Sequence, residues 1–165
     1  MVREIKLTRD KIAFVDDDDY EIVTQSKWYA QRCRKFNWYA KRARFNEGKK
    51  QVEAMHHLIL GCGFIDHING NGLDNRKENL RFVTNQENTY NQRKRPGTSQ
   101  YKGVCWDKES GKWLVQIQVD GRRKKIGRFD DELVAALAWD EAARIYYKGF
   151  AAVNFPINKE RGALC

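Results

Sequence analysis

Short apolar runs separated by charged residues dominate the first fifty positions of the chain. The runs IKLT, KIAFVD and YEIVTQ are each the length of a strand. WYAQRCR (28–34) and WYAKRARF (38–45) alternate apolar and polar positions on either side of a short turn, which predicts a β-hairpin. Residues 52–60 are mostly apolar and end at Gly61, a pattern that predicts a short helix.

A polar loop between two short apolar runs follows. Residues 64–68 and 80–83 are predicted strands, and residues 69–79 between them are rich in Asn and Gly, which tolerate positive φ. Thr84 and Glu87 fit a capping box, so a helix is expected to begin there. The predicted order is strand, loop, strand, helix.

The second half of the chain has a different pattern. Residues 101–106, 112–119 and 124–129 read as strands, and a helix is predicted from an N-cap at Asp130 to about Lys148. The pattern therefore predicts an α+β protein whose second domain is a three-stranded antiparallel sheet packed on one α-helix. The predicted organisation is a first domain at 1–92 with its core at about 52–92, a basic linker at 93–100, a second domain at 101–156 and a tail at 157–165.

The amino-acid composition limits the kinds of molecule that the protein is expected to bind. The 165 residues carry a net charge of +9, which is typical of proteins that bind nucleic acid or another anionic surface. No apolar run is long enough to span a membrane, so no membrane partner is expected. The four cysteines are scattered without a CxxC pair, so we expect reduced thiols in an intracellular protein and no structural zinc.

Cationic and amide side chains concentrate in three places that can contact DNA. They lie on the predicted hairpin, in the linker and on the outward face of the second sheet. These candidate DNA-binding residues are Arg32, Arg34, Arg42 and Arg44, then Arg93, Lys94 and Arg95, then Gln116, Gln118, Arg123 and Lys125. The alternative is a solvated outer face in each case. For the sheet we favour DNA binding, because residues 112–128 hold six basic residues against one acidic residue.

The loop region also carries candidate catalytic residues. Asp66 and Asn88 offer oxygen ligands of the kind that Mg²⁺ or Mn²⁺ prefers, and His67 is a candidate general base. Asn79 lies at the far end of the loop, where it can bridge backbone groups and hold the carbonyl or ring of His67. Adjacent strand residues point to opposite faces, so Asp66 and His67 share a site only if the strand twists or ends there. The alternative is that these residues serve turn geometry alone, a role that we assign to Asn69, Asn71 and Asn75.

The segments MHHLILG, DHINGNGLDNRKENLRFVT and QENTYNQ resemble the HNH nucleases, particularly the homing endonucleases of phages and mobile introns. The resemblance covers residues 50–92 and implies a ββα-metal fold. It also implies one metal ion bound by Asp66 and Asn88, a general base at His67 and a structural role for Asn79. The family often has His-Arg where this chain has His56 and His57.

The second domain is similar to the DNA-binding domain of the plant APETALA2/ethylene-response factors, through YKGVCW, GKWLVQI, KKIGRF and the helix that follows. That family places a three-stranded sheet in the major groove, which implies DNA contacts from Lys102 and from the four outward sheet residues. Cys105 and Asp107 stand where the plant proteins often have Arg, so their target sequence is not expected to apply.

The two resemblances together predict a homing-type, metal-dependent endonuclease that acts on double-stranded DNA. A monomer is expected to nick, whereas a homodimer would cut both strands. If the gene belongs to a phage, the protein acts in the cytoplasm of the bacterial host. The main alternative is a DNA-binding transcriptional regulator that retains the nuclease fold without cleavage; an RNA-binding or structural protein would not need Asp66, His67 and Asn88.

Overall fold

The computed structural model describes residues 1–33, 37–92, 94 and 96–156, and it shows a mixed α/β protein with more strand than helix. The chain divides into two compact units, Met1–Asn85 and Gln86–Cys165. This boundary precedes the predicted linker, because residues 86–92 make their contacts with the second half. None of the helices in the described ranges is long and apolar enough to cross a membrane.

The first unit begins with a two-stranded antiparallel sheet and a helix. Strand β1 (Val2–Lys6) pairs with β2 (Ile12–Asp16), and helix α1 (Asp17–Thr24) follows directly. The prediction of a strand at YEIVTQ is wrong. Three aspartates occupy the first turn of α1, where their negative charges interact favourably with the positive end of the helix dipole. Val23 of the same helix is buried against the core.

The predicted hairpin is present and extends into a three-stranded sheet. Strand β3 (Tyr29–Cys33) pairs with β4 (Asn37–Asn46), which pairs with β5 (Lys49–Ala54). The helix predicted over 52–60 is therefore too long, and α2 spans only Met55–Leu60. The three residues before it continue β5, where Glu53 lies directly opposite Arg42 of β4.

The strand, loop, strand and helix order at 64–92 is also present. Strand β6 (Ile65–His67) pairs antiparallel with β7 (Leu80–Phe82), and helix α3 (Asn85–Tyr90) follows. Backbone hydrogen bonds tie the intervening loop to β2, since the Phe14 amide donates to the Leu73 carbonyl (2.8 Å) and the Asn75 amide donates to the Phe14 carbonyl (2.7 Å). The loop is thus fixed to the core of the first unit.

The second unit is the predicted sheet on a helix. Strands β8 (Val104–Asp107), β9 (Lys112–Val119) and β10 (Arg122–Phe129) form an antiparallel sheet with β9 in the centre. Helix α4 (Glu132–Tyr147) packs against it with small residues, which allow a close approach. The core residues are Val104, Val115, Ile117, Ala135, Ala136, Trp139, Ala142, Ala143 and Tyr147.

The ends of α4 differ from the prediction by one position each. Asp131, rather than Asp130, is the N-cap, and its carboxylate accepts a hydrogen bond from the Val134 amide at 2.8 Å. At the other end the helix stops at Tyr147, and Lys148 after it has a positive φ of 50°. A difference of one residue at each end does not change which face of the helix packs on the sheet.

Candidate active site

His67, at the end of β6, lies in a buried cluster of rings and is 4% exposed. Its ring centroid is 5.7 Å from that of Tyr39 on β4 and 5.1 Å from that of His56 on α2. Nε2 of His67 is 3.4 Å from Oδ1 of Asn75, whose amide nitrogen donates to the Leu73 carbonyl. The amide oxygen of Asn75 therefore faces Nε2 of the ring, an arrangement that favours the tautomer with its proton on Nε2.

Burial keeps the histidine pair uncharged. It lowers the pKa of His67 from its ordinary value, although the contact with Asn75 and the nearby Asp66 and Asp74 act in the opposite direction. Burial, together with His67 and His57, lowers the pKa of His56 to about 3. His67 is therefore present as a neutral base at pH 7.

Asp66 precedes His67 on the same strand and is paired with a cation. Its carboxylate oxygen Oδ2 accepts from Nη2 of Arg81 at 2.9 Å, and Arg81 lies directly opposite on β7. Both side chains are mostly buried, at 11% and 18% exposed. Strand β6 ends at His67, and a site shared by Asp66 and His67 stays a prediction.

The predicted metal ligands are a carboxylate and an amide, which are oxygen donors of the kind that divalent metals bind. Asp66 supplies a buried carboxylate with a cation already beside it, and Asn88 is an exposed amide on α3. Among the described residues, no three His, Cys, Asp or Glu side chains are grouped to hold a metal. One carboxylate and one amide suit Mg²⁺, which keeps several waters and takes substrate phosphate oxygens. The pairing of Asp66 with Asn88 stays a prediction.

Asn79 bridges backbone groups across the loop, as predicted. Its Oδ1 accepts from the Asn69 amide at 3.0 Å, and its Nδ2 donates to the Asp74 carbonyl at 2.8 Å. The carbonyl of His67 accepts from the Gly70 amide instead. The residue beside the ring of His67 is Asn75, to which the sequence analysis gave only a turn role.

A second brace of the loop was not predicted. The Asp74 carboxylate accepts two hydrogen bonds from the guanidinium of Arg76 and one from the Asn69 amide group, each at 2.8 Å. The hydrogen bonds from Arg76 lower the pKa of Asp74. The Asp-Asn-Arg run in the sequence is an available signal for this pair, although it does not identify which acid the arginine meets.

The loop also packs closely against the hairpin. A Cβ at Gly72 would lie 2.5 Å from the Trp38 carbonyl oxygen and 2.6 Å from the Tyr39 ring, so the position requires glycine. Tyr39 in turn contacts the rings of His56 and His67. The hairpin, α2 and the loop thus hold the histidine ring from three sides.

Residues 63–90 match the family model of the HNH endonucleases. This segment is therefore similar to the HNH endonucleases. The matched segment includes β6, the braced loop, β7 and α3, and therefore Asp66, His67, Asn79 and Asn88. The contact between His67 and Asn75 lies inside the matched residues, whereas Tyr39 and His56, which contact the His67 ring, lie outside them.

Viral relatives extend the HNH similarity beyond this segment. Protein 3.8 of Escherichia phage T7 is 34% identical over 77 residues, which cover 46% of this chain and 62% of that protein. An uncharacterised HNH endonuclease of Acanthamoeba polyphaga mimivirus is 28% identical over 148 residues, 86% of this chain and 74% of that protein. These matches support a nuclease. No solved structure matches the chain.

A third relative comes from plants. Dehydration-responsive element-binding protein 2A of rice is 45% identical over 60 residues, which cover 35% of this chain and 22% of that protein. This match is short and covers little of the plant protein.

The second sheet presents paired polar side chains on the face away from α4. Gln118 lies directly opposite Arg123, and Gln116 lies opposite Lys125. Gln116 is half-buried and the other three side chains are exposed. Lys94, Gln116 and Arg123 also line a hollow of about 570 Å³ within the second unit. The four predicted sheet residues therefore share one accessible face.

Lys102 lines the same hollow, and its predicted role as a DNA contact stays a prediction. Its ammonium group donates to the carbonyls of Tyr90 (2.7 Å) and Ala152 (3.4 Å) and lies 5.1 Å above the Trp139 ring. Burial lowers the pKa of Lys102 to about 8. The ammonium group therefore holds two backbone segments together through part-buried hydrogen bonds to their carbonyls.

The hairpin arginines are also engaged within the protein. Arg42 donates to the Glu53 carboxylate at 2.7 Å and to the Ser26 hydroxyl at 2.7 Å, and Arg44 donates to Glu53 at 3.0 Å. The predicted DNA role of Arg42 is therefore replaced by a structural one, whereas Arg44 stays mostly exposed. Arg32 is exposed on β3. Three further predicted contacts, Arg34, Arg93 and Arg95, lie outside the described residues.

Proposed function

We propose that this protein is a site-specific DNA endonuclease of the homing type, with His67 as the general base. The observation that carries the proposal is the buried, neutral imidazole of His67 inside the matched HNH segment. Its Nε2 faces the Asn75 oxygen, and this contact orients the ring, so Nδ1 is the nitrogen that we propose accepts the proton.

The chemistry required is the attack of water in line with the leaving oxygen of a phosphodiester. In this proposal Nδ1 of His67 takes the proton from the attacking water, and Asn75 holds the imidazole as its charge develops. Asp66 and Asn88 would bind one Mg²⁺ or Mn²⁺ ion, which when bound neutralises charge on the phosphate oxygens. Asn79 keeps the loop between them in its conformation.

Site recognition is assigned to the second unit, which we propose is an APETALA2-like DNA-binding domain. The sheet-on-helix fold and the similarity to the rice protein support this. Gln116 and Gln118 would contact base edges, and Arg123 and Lys125 would contact bases or phosphates. Arg32, Arg44 and the basic linker, including Lys94, would add contacts to the DNA backbone.

The number of strands cut follows from the number of chains bound. One site per chain implies that a monomer nicks and a homodimer cuts both strands. With two viral relatives among the matches, we propose that the protein acts in the cytoplasm of an infected cell, a bacterial one if its gene is carried by a phage.

The test is Mg²⁺-dependent nicking of duplex DNA by a His67→Ala variant. Nicking is expected to be abolished while DNA binding survives, because His67 belongs to the first unit and the proposed recognition face to the second. His57→Ala is the matched control, since this neighbouring histidine is only half-buried and has no place in the proposed chemistry. A His67→Ala protein that nicks at the wild-type rate contradicts the proposal.

The ion pair between Asp66 and Arg81 favours a second candidate, a DNA-binding transcriptional regulator without cleavage. In such a protein Arg81 would neutralise Asp66 permanently. Wild-type protein that binds a DNA site tightly but leaves it intact with Mg²⁺ or Mn²⁺ would establish this alternative. Sequencing the cleavage ends from a DNA library separates the two functions and also gives the site and strand count.

A further inference from the structure

Helix α3, which carries Asn88, is too short to be stable by itself. It spans the six residues Asn85–Tyr90 and none of them is buried. Isolated helices shorter than about 12 residues are marginal in water. The conformation of α3 must therefore depend on contacts made by its ends.

Tyr90 supplies those contacts at the C-terminal end of α3. Its ring stacks on Tyr147 of α4, with ring centroids 3.8 Å apart and an interplanar angle of 11°. Its carbonyl accepts from the ammonium of Lys102 at 2.7 Å and from the Ala152 amide at 3.4 Å. Both the side chain and the backbone of Tyr90 are thus bound to the second unit.

Gln86 extends the attachment to the first turn of the helix. Its side-chain amide donates to Asp120 Oδ1 at 2.8 Å and contacts the Tyr90 hydroxyl. Asp120 lies in the turn between β9 and β10, the two strands that carry the proposed recognition face. The helix is consequently tied to the DNA-binding sheet at both ends.

The backbone around Lys102, to which Tyr90 is bound, is closely packed. Lys102 lies against Trp139, which is 2% exposed, and a Cβ at Gly103 would come within 1.9 Å of that indole. The backbone at residues 102–103 therefore packs directly on the core of the second unit. A carbonyl held by Lys102 cannot move without disturbing that core.

We infer that Tyr90 is a positioning residue for Asn88, and that the DNA-binding unit thereby sets the position of a metal ligand. The inference rests on the proposed function, in which Asn88 binds the metal. The second unit then has two roles, recognition of DNA and positioning of Asn88. Loosening Tyr90 weakens metal binding without removing any metal ligand.

The experiment compares full-length Tyr90→Ala, Tyr90→Phe and Tyr146→Ala proteins. Tyr146 is the matched control, since it is a half-buried tyrosine that packs on the same core, and its hydroxyl contacts Lys124 on β10. Tyr90→Ala is expected to raise the Mn²⁺ concentration for half-maximal nicking by about tenfold or more, with the rate largely restored at saturating Mn²⁺. Tyr90→Phe, which keeps the stacked ring, and Tyr146→Ala are expected to stay near the wild-type value.

Hydrogen exchange in the metal-free proteins gives a readout independent of cleavage. The Asn91 amide, which donates to the Glu87 carbonyl, is expected to exchange faster in Tyr90→Ala alone. Unchanged Mn²⁺ dependence in a Tyr90→Ala protein, beside a wild type that nicks, overturns the inference and leaves the proposed function standing. A wild type that binds DNA but neither binds Mn²⁺ nor nicks overturns both.

Discussion

The Asn79→Ala substitution tests whether this residue braces the loop or takes part in catalysis. Asn79 is 6% exposed, and the change removes its bonds to the Asn69 amide and the Asp74 carbonyl. A buried polar group left without a partner costs about 1–3 kcal/mol. The bond to the Asp74 carbonyl is buried, whereas Asn69 is an exposed residue, so the free energy of unfolding of the first unit should fall by roughly 1–3 kcal/mol.

The assay is urea unfolding combined with hydrogen exchange at the Asn69 amide. The matched control is Asn88→Ala, which removes an exposed asparagine and should change stability by less than about 0.5 kcal/mol. Asn88→Ala should instead abolish metal-dependent nicking at unchanged stability. A loss below about 1 kcal/mol in Asn79→Ala, with the Asn69 amide still protected, would refute the bracing role.

The remaining predictions concern pH and DNA recognition. Because burial lowers the pKa of His67 below its ordinary 6.5, its basic form persists at lower pH. The midpoint of the fall in single-turnover nicking rate at saturating metal should therefore lie below pH 6.5; a midpoint above 6.5 contradicts this. Arg123→Ala should weaken specific DNA binding by about 1–3 kcal/mol in a salt-controlled titration with the fold intact. Lys102→Met should destabilise the second unit in thermal unfolding. A normal melting temperature together with weakened DNA binding would instead support a DNA contact from Lys102.

Elements whose pattern reflects burial could be predicted from the sequence. Alternating residues in 112–119 identified a strand with one face on a helix, and Val115 and Ile117 are indeed buried there. The strand, loop, strand and helix order followed from turn residues at 69–79. YEIVTQ failed because a short apolar run fits a strand or a helix equally well, and the aspartates before it decided the outcome.

Side-chain contacts between residues that are distant in the sequence could not be predicted. The sequence contains several asparagines in the loop, but only the path of the chain shows that Asn75 meets His67 and Asn79 meets the backbone. Lys102 and Arg42 looked like surface cations because charge is usually exposed. Their carbonyl and carboxylate partners lie 12 and 11 positions away in the sequence, and no local pattern identifies them.

The ion pair between Asp66 and Arg81 has a consequence for the order of events during biosynthesis. A buried carboxylate without a counter-ion would oppose folding until a metal arrived. Arg81 provides that counter-ion from the opposite strand of the same hairpin, so the chain can complete its fold in the absence of metal. Under the proposed function, the newly made protein would be stored intact and inactive, and the supply of divalent ions would decide when it first cuts.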